Sequence, residues 1–178
     1  MHYTQSQKET MKALVYQAFH YAILNHAIMP VPSNLDKWLK EKRGVFVTLT
    51  AHNELRGCIG YVMAEHDLGQ AICDNAYNAA LRDPRFDPVL SDEIPNIQIE
   101  LSILSPIETV ADISQIKIGR DGLIVQIGER SGLLLPQVAT EYGWSREEFL
   151  SATCQKARLP SDAWKQDASI YKFSAVVF

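Results

Sequence analysis

An α+β fold, with a mixed, largely antiparallel sheet flanked by helices, follows from three observations on this chain. Strand-like and helix-like segments mix without a repeating βαβ rhythm. Neighbouring strand segments are joined by links too short for a crossover, so they return antiparallel. Long stretches carry apolar residues at three- and four-residue spacing, as helices packed on one face require. The 178 residues, 47% of them hydrophobic, suffice for one domain over residues 1–178 with a sizeable core.

Residues 5–29 predict a helix with Met11, Leu14, Val15, Ala18, Ala22 and His26 on one stripe, ended by Pro30 and Pro32. Residues 33–42 hold a further turn or two, and Lys42-Arg43-Gly44 turns the chain. Val45–Thr50, rich in β-branched residues, predicts a strand, and the short polar Ala51–Glu54 returns it as a hairpin. The second strand is Leu55-Arg56-Gly57-Cys58-Ile59-Gly60, continuing to Val62. Alternation puts Arg56, Cys58 and Gly60 on one face and Leu55, Gly57 and Ile59 on the other. Asp67 caps a helix over 68–82 whose buried stripe is mostly alanine, which predicts close approach to the sheet. Asp83-Pro84 stops it, and Asp83–Pro88 is a stiff loop. Ile97–Leu104 alternates strictly and predicts a half-buried strand. Residues 116–119 and 123–127 read as a hairpin through Arg120-Asp121-Gly122. A turn at 129–132 leads into Leu133–Leu135. Gln137–Tyr142 is a short helix stopped at Gly143. Ser145 and Glu148 form a capping box for a helix to about Ala157. A turn at 160–164 and a strand over 170–178 complete the chain.

Composition excludes several classes. The net charge is −4 and the sequence pI about 5.7, which argues against generic binding to nucleic acid. No apolar run reaches the roughly 18 residues of a membrane helix. The first ten residues lack the order of a signal peptide, so a cytoplasmic location is expected. Three cysteines without a C-x-x-C, and five histidines without an H-x-x-x-H, predict no disulfide framework and no metal site. Scattered cysteines also preclude iron–sulfur ligation. With no Walker loop and no G-x-S-x-G elbow, no cofactor is predicted.

The least ordinary run is the hexapeptide 55–60. Two glycines in four positions weaken a strand, and the usual reason is a bulge, a bend or a close approach by another backbone or ligand. Cys58 between them is a candidate nucleophile, with Arg56 on its face to favour the thiolate; a small packed residue is the alternative reading. A turn at Asn53-Glu54 places His52 opposite Leu55 and Cys58 opposite Leu49. His52 then stands three positions from the thiol, about 10 Å, too far for a general base. Glu100 lies on the polar face of its strand, either as a site carboxylate or as a solvated one. Arg85 offers a fork of donors to an anion, or else pairs with Asp83 or Asp87.

These residues resemble a known family. The hexapeptide is similar to the hallmark of the AMMECR-type domain. Further stretches agree in order: Phe46–Leu49, Asp83–Phe86 with Pro88, Ile99–Leu104, Leu134–Gln137, Glu148–Leu150 and Cys154–Ala157. One position departs: where the family continues Lys-Ala with glycine and leucine, this chain reads Lys156-Ala157-Arg158-Leu159. The resemblance implies a larger and a smaller lobe, with the hallmark lining a cleft. It also implies a place beside a Memo-type protein and a radical S-adenosylmethionine enzyme, the AmmeMemoRadiSam system; the family's activity is not established. On this basis Cys58 is expected to act as nucleophile or covalent carrier. Arg56 and Glu100 would stand beside it, and Gly57, Gly60 and Arg85 would admit or bind the ligand. The alternative is a non-enzymatic module whose glycine-flanked strand docks a partner.

Overall fold

The computed structural model describes residues 2–178. Among the described residues Val45–Ala51 pairs antiparallel with Glu54–Tyr61 and with Ile97–Leu104. Asp121–Ile127 pairs antiparallel with Arg130–Leu134 and with Ser169–Val177, as does Glu108–Thr109 with Ser169–Val177. The described chain forms two compact units. The larger comprises residues up to Leu104 together with Val176–Phe178, and the smaller is Ser105–Ala175.

In the larger unit, α1 (Gln5–Asn25) opens with a capping box between Thr4 and Gln7 and buries Met11, Leu14, Val15, Ala18, Phe19, Ala22 and Ile23. It stops four residues short of the expected end because His26 adopts a left-handed conformation (φ 52°) and lies exposed, off the stripe. β1 (Val45–Ala51) is flanked by β2 (Glu54–Tyr61) and β3 (Ile97–Leu104). Val45, Val47 and Leu49 of β1 are fully buried against α1 and α2 (Leu68–Leu81). The alanine stripe of α2 brings its backbone onto the sheet. Asp67 stands at the helix start, but its side chain makes no capping bond there.

The hairpin between β1 and β2 corrects the expected register. Its turn residues are His52 and Asn53, both with positive φ (53° and 65°), the conformation of a type I′ turn, whose twist suits a hairpin. Ala51 therefore pairs with Glu54, one residue earlier than expected. A bulge then inserts Arg56, so Leu49 pairs with Gly57 and Thr48 with Cys58. Because pairing partners share a face, the bulge also moves Leu55 to the Cys58 side, away from Gly57.

In the smaller unit, β5 (Asp121–Ile127) pairs with β6 (Arg130–Leu134) and with β7 (Ser169–Val177), and β7 also pairs with β4 (Glu108–Thr109). The expected hairpin from 116–119 through Asp121-Gly122 is replaced. The Asp121 carboxylate accepts from the Lys117 amide, which draws 117–120 into a turn with Gly119 at φ 79°. Asp121 and Gly122 then begin β5, and the hairpin closes at Gly128-Glu129. α3 (Pro136–Glu141) and α4 (Arg146–Lys156) follow, α4 opening with the predicted Ser145–Glu148 capping box. Their core holds Ile116, Leu123, Phe149, Leu150 and Ile170.

Candidate functional site

The hexapeptide lies on β2, which pairs with β1 alone among the strands of its unit and so leaves one edge free of strand partners. Gly57 faces the helices. A Cβ there would stand 2.2 Å from the Ala79 carbonyl oxygen, so glycine is what lets α2 seat on the strand. Gly60 pairs with Phe46, whose ring fills the space over it; a Cβ would meet that ring at 2.3 Å. Both glycines thus make room for the chain's own atoms.

Arg56, thrust out by the bulge, holds the loop after α2. Its Nε and Nη2 donate to the two carboxylate oxygens of Glu93 (2.7 and 2.9 Å), and Nη1 donates to the Asp87 carbonyl (2.8 Å). The Arg56 hydrogen bond holds the Glu93 carboxyl below its usual range, against the effect of burial. All three Arg56 nitrogens are engaged, and none with the Cys58 thiol.

A second pair grips the backbone of Cys58. Its N–H donates to Asp83 Oδ2 (2.8 Å), and its carbonyl accepts from Arg85 Nη2 (3.0 Å). Arg85 is bound in turn to both Asp83 oxygens, which decides between the anion and ion-pair readings for its Nε and Nη2. Asp83 is buried. Hydrogen bonds from Arg85 and from the Cys58 and Arg85 amides hold its carboxyl at about 2, more than offsetting burial. On the edge of β2 that lacks a strand partner, this pair satisfies the amide and carbonyl of Cys58, as a further strand would. The Arg85 guanidinium is held above its usual range first by Asp83, with the Cys58 side chain acting in the same direction. The cation bound to the Cys58 backbone is therefore Arg85. Its Nη1 makes no hydrogen bond among the described residues.

The Cys58 side chain lies on the face of the sheet opposite α2. It shares a hydrogen bond of 3.3 Å with Thr48 Oγ1, in which either atom can donate. Thr48 pairs with Glu100 on β3, so Cys58, Thr48 and Glu100 form one row across three strands, with neighbours about 5 Å apart at Cβ. Cys58 is half-buried and Glu100 exposed. The structure thus brings Arg85 to the Cys58 backbone and Glu100 into the Cys58–Thr48 row, while Arg56 turns to Glu93. Among the described residues no histidine is bonded to the Cys58 thiol: His52 is at the hairpin tip, and His66 packs against Tyr61 with ring centroids 5.0 Å apart. The other thiols are fully buried, Cys73 pushed up to about 12 by burial and the nearby Asp74, and Cys154 pushed up by burial.

Two participants were missed from sequence. Thr48 alternates with the buried Val47 and Leu49 and so had to face away from the helices. Asp83, read as a helix stop and as a possible partner of Arg85, is also the carboxylate beneath the Cys58 amide, a contact across 25 residues that no local pattern signals.

Comparison with known proteins identifies the family. The AMMECR1 family model matches residues 12–178. The chain is 48% identical over 158 residues to Protein PF1979 of Pyrococcus furiosus, covering 83% of this chain and 75% of that protein. A protein of Methanothermobacter thermautotrophicus is 41% identical over 182 residues, covering 98% and 95%. The crystal structure of the uncharacterized protein PH0010 from Pyrococcus horikoshii superposes with a TM-score of 0.89 at 41% identity, covering 95% of this chain and 89% of that one. With the family model spanning all but the first eleven residues, the chain belongs to the AMMECR1 family.

Proposed function

We propose that this AMMECR1-domain protein works through the Cys58 thiol, as a nucleophile or covalent carrier for a substrate with an anionic group. One observation carries the reading. Among the polar groups of the hexapeptide, Arg56 and the Cys58 backbone are spent on holding the fold, while Cys58 is only half-buried and its thiol has only a hydroxyl partner. Thr48 orients the sulfur, Arg85 Nη1 offers a donor to an anion, and Glu100 supplies a carboxylate in the same row. The family resemblance supports extending the proposal to a pathway shared with a Memo-type protein and a radical S-adenosylmethionine enzyme. The alternative docking module draws no support from the glycines, whose space Ala79 and Phe46 already fill.

Alkylation of the native protein tests this. Iodoacetamide is expected to modify Cys58 and to spare Cys73 and Cys154 until the chain unfolds. Anionic iodoacetate is expected to gain on neutral iodoacetamide at Cys58, and Arg85→Gln to remove that gain. Cys58→Ser is expected to leave the melting curve nearly unchanged. A Cys58 that reacts only on unfolding, or a large loss of stability in the serine variant, overturns the proposal.

A further inference from the structure

The smaller unit contains a cavity of about 280 Å³, roughly nine water volumes. Strand pairing sets its walls. Lys172 and Ser174 lie two apart on β7 and therefore share a face; Lys172 pairs with Glu108, and Ser174 with Asp121. The same face carries Ile170 and Leu123, which are buried in the core. Lys172 thus starts from a core-facing position, and its side chain is only 16% exposed. A lysine so placed is expected to have a close partner. Its nearest carboxylate oxygen, on Glu108, is 3.7 Å away, beyond hydrogen-bond length, on a side chain that is 68% exposed.

The other charges are distributed unevenly between committed and free. Asp121 is buried, and both its oxygens are occupied: Oδ1 by Arg120 Nε (2.6 Å), Oδ2 by Arg120 Nη2 (2.7 Å) and by the Lys117 amide (2.9 Å). Burial alone would raise its carboxyl. Arg120, the Lys117 amide and the Lys172 charge outweigh it, so Asp121 sits below its usual range and stays ionised. Arg120 uses Nε and Nη2 on Asp121 and leaves Nη1 without a partner among the described residues. The cavity therefore presents two cationic donors, Lys172 Nζ and Arg120 Nη1, while its buried carboxylate is already engaged.

We propose that this cavity is a binding site for a small oxyanion, a phosphate or carboxylate group. Lys172 Nζ and Arg120 Nη1 hold its oxygens, and the exposed Glu108 competes with it for the lysine. Arg120 gives directional donors and Lys172 a compact charge, the pairing that oxyanion sites favour. The site lies wholly within the smaller unit and needs nothing from Cys58.

The test is a titration of the full chain with inorganic phosphate at constant ionic strength, read by amide chemical shifts. Saturable shifts at Arg120, Lys172 and Ser174 in the millimolar range are expected, with succinate run in parallel to distinguish a phosphate preference from a carboxylate one. Lys172→Met is expected to weaken binding about tenfold. Glu108→Gln, an exposed position that leaves the fold intact, is expected to tighten it severalfold by removing the competing charge. No saturable shift with either anion overturns the site, as does binding that Lys172→Met leaves unchanged or that Glu108→Gln weakens.

Discussion

Asp83 joins the Cys58 amide, Arg85 and the end of α2 through one carboxylate, and its titration is readable in stability. Its carboxyl lies at about 2 in the folded protein, against 3.8 for the ordinary group. The unfolded chain therefore takes up the proton first. The stabilisation is complete above about pH 4 and is lost as pH falls through 2, an effect of about 2 kcal/mol. Urea unfolding at pH 5 and at pH 2.5 is expected to show this loss, and Asp83→Asn to abolish that share of it. Gly57 gives a second expectation. Alanine there places a carbon 2.2 Å from the Ala79 carbonyl oxygen, backbone against backbone, so Gly57→Ala is expected to cost about 3 kcal/mol, measured by chemical denaturation. The prominence of the hexapeptide was plain in the sequence, and so was the reason for its glycines, a close approach. The identity of what approaches was not legible, because Ala79, Phe46 and Glu93 reach the hexapeptide through tertiary packing that no local pattern encodes.

The ends of elements show where local rules suffice. Ser145 and Glu148 close their capping box as the spacing requires. At the other end of α4 the Leu159 amide donates to the Cys154 carbonyl (2.9 Å) and the Arg158 amide to that of Gln155 (2.9 Å), a Schellman closure. Arg158 occupies its left-handed position at φ 56°, where a side chain is strained and glycine is not. The tight helix end survives the departure from the family pattern at some cost. Arg158→Gly is expected to stabilise the protein by about 1 kcal/mol, seen as a raised melting temperature. The β-hairpins were harder to read. Asp121-Gly122 has the composition of a turn, yet the buried Asp121 carboxylate spends its hydrogen bonds on the residues before it and starts a strand. A bulge is one of the readings the two glycines allow, but nothing in the sequence places it at Arg56, where it turns Cys58 to the Thr48 face.

For the whole molecule, β7 is the segment that serves both units. Most of it builds the smaller one, while Val176–Phe178 belong to the larger. There the Leu101 amide donates to the Phe178 carbonyl (3.0 Å) and the Phe178 amide to the Leu101 carbonyl (3.1 Å). The Phe178 ring lies beneath Lys8 and Lys12 of α1, whose Nζ atoms stand 5.4 and 5.9 Å from its centroid. Removing residues 176–178 is expected to cost the larger unit about 2–3 kcal/mol. Hydrogen exchange would then show lost protection in β1 and β3, with β5 and β6 unchanged. The order of synthesis gives the arrangement a temporal side. Once β3 has been translated, the ribosome must add the entire smaller unit before the strand that completes the larger one appears, roughly 4–14 s at about 5–20 residues per second. Throughout that interval the nascent chain carries an uncovered β3 edge, with its backbone groups open to any other strand that can pair with them.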